Sequence, residues 1–330
     1  MLRPLYYRII LLGLLVLAVR PAFAQAPLSV AAVHRAVART QLELLKKNLR
    51  YVAGTSSDAP ADGREKARLQ LVEATTAAVA ELRKQRVAAD QVPFVATTLR
   101  LFTAVLLAQQ TKYKQVNEAS PGRGKSLTES EDFWEGAAAA QLHVAQLTDS
   151  LEVERRIFAE ENGLRQDVSR EVRIWTNATR QAAELFGYFP QVQLPYVRVR
   201  MAMEPLLTAI QAHNGESFEA AHHNLAVEAG FAAAQLATVP DFMNLDITFR
   251  DVTRAFVKHQ VEACGGSLAE AVDLMLLQKT QELTSLQVQS INSLLQAYIV
   301  QTQALDRNYQ KASSAFLRLN APDLAPDYTH

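Results

Sequence analysis

Glu219 and His222 are the residues of this 330-residue chain whose types and spacing come nearest to a chemistry. A Glu-x-x-His spacing on a helix sets a carboxylate and an imidazole on one face, the arrangement by which di-iron four-helix bundles hold metal. Such a centre requires two of these pairs and two further inward glutamates. The chain has one such pair, and the early helix expected over residues 64–88 has no histidine to match it. The adjacent His222 and His223 point about 100° apart on a helix and do not readily face one ion. Solvated or capping histidines are the blander reading, and it carries more weight.

His259 and Glu262 form the second pair, a His-x-x-Glu that on an exposed helix face is an ordinary i, i+3 neighbour contact. His143 sits beside Val144, flanking a buried stripe. Tyr298 and Tyr309 read as core residues whose hydroxyls find hydrogen-bond partners. Asn177-Ala178-Thr179 is an acceptor triplet for N-glycosylation, but it falls inside a predicted helix, whereas acceptor sites favour loops. No Ser-His-Asp, phosphate-loop or zinc-hydrolase motif is present, and no catalytic residue is assigned. Cys264 is the one cysteine, so the chain can form no internal disulfide and carries no cysteine-rich metal or haem-attachment motif. The sequence calls for no cofactor; a metal reading rests on Glu219, His222, His259 and Glu262 alone.

The clearest of the elements that would position these residues lies at residues 288–319. Val288, Ile291, Leu295, Tyr298, Thr302, Leu305, Tyr309, Ala312, Phe316 and Leu319 step by three and four, and only Thr302 is polar. That is a heptad seam on a long helix, and it requires partner helices at a shallow angle. Scarce Gly and Pro, with Ala, Leu, Gln, Glu and Arg between them, favour helix throughout. Helices are expected over 29–52 (Val33, Val37, Leu44, Tyr51 inward), 64–88 (Leu71, Ala74, Ala78, Leu82) and 93–113 (Leu99, Phe102, Leu106). A loop with Pro121, Gly122 and Gly124 follows. A fourth helix opens with Thr128 and Glu131 as a capping box and closes at Asn162-Gly163, a left-handed cap. Its inward positions are Phe133, Ala137, Ala140, Val144, Leu147, Leu151, Glu154 and Phe158.

A shift of 158 residues lays those positions on Ile291 to Phe316 and Asn162 on Asn320. Upstream, Val92-Pro93-Phe94 has a counterpart in Val239-Pro240-Asp241-Phe242, preceded by a helix over 216–238 as helix two precedes the first. Phase agreement between two heptad helices arises by chance in about one register of seven, so the second match carries the case for a tandem duplication. Between the copies, residues 164–187 read as a connecting helix ended by Phe189-Pro190 and a loop to Pro195. Residues 196–213 then start the second copy, with Pro205 kinking or restarting that helix.

Arg3 and Arg8, the apolar run over 9–19 and Ala22-Phe23-Ala24 before Gln25 have the three zones of a secretory signal, with cleavage expected after Ala24. The apolar run is about half the length needed to span a bilayer, so no integral membrane segment is expected in the mature protein. Removing Arg3, Arg8 and Arg20 leaves 31 basic against 34 acidic residues, interspersed along the helices. Nothing in that balance marks a nucleic-acid partner.

The repeat resembles a family of uncharacterised exported bacterial surface or periplasmic proteins. The likeness lies in residues 92–102, in Phe249-Arg250-Asp251 through Phe256, and in the endings Phe158-Ala159-Glu160-Glu161-Asn162-Gly163 and residues 316–320. It implies exported four-helix units without an assigned activity, and no functional residues to transfer. The chain departs from the usual form in its two copies and in lacking a lipid-bearing cysteine. Exported proteins of the imelysin type are also duplicated bundles and carry a His-x-x-Glu behind a glycine two positions earlier; Val257 stands there in this chain.

The expected fold is all-α, two tandem up-and-down four-helix-bundle-like units. The signal covers 1–24, the first bundle 25–163, a connecting helix and loop 164–195, the second bundle 196–320 and a flexible tail 321–330. The expected function is an exported, periplasmic or extracellular, non-enzymatic protein with a binding or structural role in the envelope. The alternative is a periplasmic metal- or haem-binding bundle. Protein partners or self-association through helix faces are expected, the latter through any part of the 288–319 seam left exposed.

Overall fold

The computed structural model describes residues 28–56, 61–120, 125–164, 167–212, 214–243, 248–278 and 281–320. The expected export signal, the tail and the Pro121 to Gly124 loop lie outside these. The described residues form an all-α fold, with one 3-10 turn at Ala89–Gln91 and an isolated parallel bridge between Leu28 and Val87. The helices are α1 Val30–Ser56, α2 Ala61–Lys84, α3 Val92–Gln110, α4 Lys112–Ala119, α5 Leu127–Glu161, α6 Asp167–Gln211, α7 Gly215–Thr238, α8 Thr248–Gly265, α9 Ser267–Leu277 and α10 Ser285–Asn320.

Local sequence accounts for several of the ends. The capping box of α5 is Ser126 with Glu129, two residues before the expected Thr128 and Glu131. Ser126 Oγ accepts from the Glu129 amide at 3.1 Å and donates to the Glu129 carboxylate at 3.0 Å. The expected left-handed cap is present at Gly163, whose φ is 61°, with the Leu164 amide donating to the Ala159 carbonyl at 2.9 Å. The expected third helix divides at Thr111 into α3 and α4, and α9, which the sequence reading passed over, follows an equivalent break at Gly266. The Val239-Pro240 segment does not start a helix, because α8 begins only at Thr248.

The largest correction concerns residues 164–213. There is no loop between Phe189 and Pro195: α6 runs unbroken for 45 residues with Pro190, Pro195 and Pro205 inside it. Each interior proline removes an amide donor and clashes with the preceding turn, costing about 3 kcal/mol, so three cost about 9. Against this, Phe186, Phe189, Val192, Tyr196, Val199, Met203 and Leu206 form one buried stripe through the proline region. At about 1.5–3 kcal/mol each, their burial contributes about 10–20 kcal/mol and outweighs the breaks.

α6 packs on α1 and α5 and also on α7, α8 and α10. Neighbour relations recur on the two sides: α1 on α2, α2 on α3, and α3 and α4 on α5, then α6 on α7, α7 on α8, and α8 and α9 on α10. Phe94 stacks on Phe158 with ring centres 4.0 Å apart, and Phe249 stacks on Phe316 at 5.1 Å. Asn162 Nδ2 donates to the Phe158 carbonyl at 2.8 Å, and Asn320 Nδ2 to the Phe316 carbonyl at 3.0 Å. One core runs from Leu45 and Tyr51 through Trp134, Phe186 and Phe189 to Phe249, Tyr309 and Phe316; a smaller cluster gathers Val33, Phe94, Leu151 and Phe158.

Within 89–119 an 18-residue window is apolar enough to cross a membrane by composition, with mean hydropathy 1.5, yet the segment contributes Phe94, Val95, Phe102, Tyr113 and Val116 to these cores. The seam of α10 is spent inside the fold. Ile291, Leu295, Tyr298, Thr302, Tyr309 and Phe316 are buried, which leaves Val288 and Leu319 at its ends exposed.

Candidate functional site

α7 turns Phe218, Ala221 and Leu225 to the core, so Glu219 is exposed and His222 is half-buried at the stripe's edge. His222 Nε2 lies 2.9 Å from the carbonyl oxygen of Cys264, close to the end of α8. A carbonyl only accepts, so the imidazole donates and its Nε2 carries the proton. The bond satisfies one of the last carbonyls of α8, which lack donors within their own helix. His222 is therefore a clamp between α7 and α8.

His259, on α8, places Nε2 3.2 Å from Thr302 Oγ1 and stacks on Tyr298 with ring centres 5.9 Å apart. The neighbouring buried Gln260 donates to Thr302 Oγ1 at 3.3 Å and accepts from the Tyr298 hydroxyl at 2.8 Å. These bonds join α8 to α10. Burial pulls the His259 pKa below its ordinary 6.5, and the Glu262 carboxylate only partly opposes this. Glu262 is exposed and pairs with Lys258 at 3.6 Å. Cys264 is buried and its thiol is pushed up to about 11, so it is a small apolar filler at neutral pH.

The structure thus does not converge Glu219, His222, His259 and Glu262 on one point. Both imidazoles are committed to bonds between helices, and both carboxylates lie at the surface. Among the described residues, no three His, Cys, Asp or Glu side chains are grouped so as to hold a metal ion.

A polar network joins several helices in the N-terminal half. Tyr113, fully buried, donates to Asn48 Oδ1 at 2.7 Å and Gln141 Oε1 at 3.2 Å. Tyr51 stacks on it at 4.4 Å and shares its hydroxyl between the Tyr113 carbonyl and Asn117 Oδ1. Asn117 donates to Glu65 at 2.8 Å, and Glu65 holds Arg68, whose Nη1 reaches the Gln109 carbonyl at 3.2 Å. The hydrogen bonds from Arg68 hold the Glu65 carboxyl below the usual range. Burial drives both phenols well above 10, so neither exchanges a proton near neutrality. Gln41, at the edge of this network, has neither amide atom bonded. It borders a cavity of about 20 Å³ lined also by Asn48 and Thr148.

Arg155 was missed by sequence reasoning, which placed Glu154 on the inward stripe of α5. Glu154 is half-buried and Arg155 is fully buried. Arg155 donates to Glu152 from Nη2 at 2.6 Å and from Nε at 3.2 Å, and Nη1 lies 3.1 Å from His34 Nε2. A guanidinium has no acceptor, so His34 accepts and is neutral. Burial first, and the Arg155 charge second, pull its pKa below 6.5. The available signal was the Glu152-x-x-Arg155 spacing, which neutralises a charge that would otherwise keep that face in water.

No family model matches the chain, and comparisons with curated proteins and with solved structures find no match either.

Proposed function

We propose that this chain is an exported helical protein that works by binding a partner or holding a structural place in the cell envelope, without catalysis, and that it is built from two copies of one four-helix unit joined through α6. One observation carries the reading. Arg68 on α2 reaches the Gln109 carbonyl near the end of α3, and His222 on α7 reaches the Cys264 carbonyl near the end of α8. Both donors lie four residues after the first buried position of their helix, Arg64 and Phe218, and both carbonyls stand just before a helix break. Arginine and histidine share hydrogen-bond donation, whereas metal ligation and proton exchange near neutrality belong to histidine. Their exchange at one place supports a helix-joining role there. The paired stacking of Phe94 on Phe158 and Phe249 on Phe316 supports the two-copy reading independently.

Export is proposed from the N-terminal zones, and protein recovered from the periplasm or medium should begin at Gln25. Metal and haem analysis of that protein, with thermal unfolding repeated under chelation, tests this reading against a metal- or haem-binding bundle. Unfolding indifferent to chelator is expected. Stoichiometric metal, with a melting temperature lowered by chelator and restored by adding metal back, would overturn it, since a ligand bound only to the native state must stabilise that state.

A further inference from the structure

A second polar surface, away from the two histidines, lies where α5 crosses α6. Asp149, Glu152 and Arg156 on α5 and Arg173, Thr176, Asn177 and Arg180 on α6 line a groove of about 350 Å³. With Val153, which also lines it, both sets recur at i, i+3, i+4 and i+7, so each occupies one helix face and the two faces meet. The volume is at the small end of ligand sites.

The charges do not cancel. Asp149 is taken by Arg180, which donates to its two oxygens at 2.8 and 3.1 Å, with Glu184 adding a further acidic charge near Arg180. Glu152 is taken by the buried Arg155. Arg156 and Arg173 are exposed and form no ion pair among the described residues. Thr176, the buried member of the lining, is 2% exposed and its hydroxyl has no hydrogen-bond partner. A buried hydroxyl without a partner costs free energy unless something supplies one. The groove therefore holds two uncommitted guanidiniums, an unbonded hydroxyl and an amide, while its carboxylates are already neutralised.

We propose that this groove binds an oxyanion, a carboxylate or phosphate group carried by a small molecule, between Arg156 and Arg173 with the Thr176 hydroxyl donating to it. Guanidinium forks suit such groups because they donate two parallel hydrogen bonds to paired oxygens.

The test is an NMR titration of the full mature chain with inorganic phosphate and, separately, with acetate, at ionic strength matched with chloride so that screening is constant. Saturable shifts of the Arg156 and Arg173 side-chain signals are expected with at least one anion. Phosphate alone would assign a phosphate ligand and acetate alone a carboxylate. The exposed double variant Arg156→Gln with Arg173→Gln, which leaves the fold's core untouched, should weaken binding at least tenfold, and Thr176→Val should weaken it severalfold. Shifts that do not saturate with either anion, or binding unchanged in the double variant, would overturn the proposal.

Discussion

Phe316→Ala perturbs the second half of the chain at its most aromatic point. The Phe316 ring is 2% exposed and meets Phe242 and Phe249 at 5.1 Å, Tyr188 at 5.6 Å and Phe189 at 6.2 Å. Truncating a buried phenylalanine to alanine removes about 3–5 kcal/mol through lost transfer and the cavity left behind. Both tryptophans, Trp134 and Trp175, lie elsewhere, on α5 and the first part of α6. They are joined to Phe316 only through the core: Trp134 packs on Phe189 at 5.0 Å, and Phe189 on Phe316. If that core unfolds as one unit of roughly 300 residues, an unfolding entropy of about 2.1 cal/mol/K per residue converts the loss to about 5–8 °C. Tryptophan fluorescence and far-ultraviolet circular dichroism should then shift together. If the halves unfold separately, each carries about half the entropy, and circular dichroism should show one transition lowered by about 10–16 °C. Tryptophan fluorescence unmoved by Phe316→Ala would refute the shared core.

Acid sensitivity should come from three histidines, one buried and two half-buried. His34, His143 and His259 have folded pKa values below 6.5, so their contribution is fully present above about pH 6.5 and is lost progressively as pH falls toward the lowered values. Chemical denaturation across that range should show His34→Gln flattening the loss, and an acid slope unchanged by the substitution would contradict the assignment. Gln41→Met should be neutral or stabilising by up to about 1–2 kcal/mol in urea unfolding, because Gln41 brings two unbonded buried amide atoms into the core. A loss of more than about 1 kcal/mol would contradict this, and would indicate that the amide is well bonded. Cys264 should resist thiol reagents in the native protein at pH 8 and react on unfolding, since its thiol is buried and raised to about 11; fast native labelling would count against the α7–α8 packing.

The helices were legible from sequence because their stripes are long and their ends are marked by small polar residues or glycine. The α10 seam and the Asn162-Gly163 cap fall where periodicity and left-handed preference put them. What was not legible depended on tertiary context. Pro190 and Pro195 read as a loop because local rules count the proline cost and cannot see the stripe from Phe186 to Leu206 that outweighs it. Arg155 was passed over because a charge's burial depends on Glu152 and on His34, and His34 lies on another helix. Glu219, His222, His259 and Glu262 had metal-like spacing, but spacing along one helix does not say what the next helix offers. Here it offered a carbonyl to His222 and a hydroxyl to His259.

The shared helix is tested most directly by the distance between spin labels at Asn177 and Thr208, two exposed positions on α6 either side of Pro190 and Pro195. At about 1.5 Å per residue, a continuous helix separates their backbones by about 46 Å. A single narrow distribution near 45 Å is the predicted result. A distance below about 25 Å, or two populations, would mean that the chain turns at the prolines, and the account of two units joined through one helix would fail.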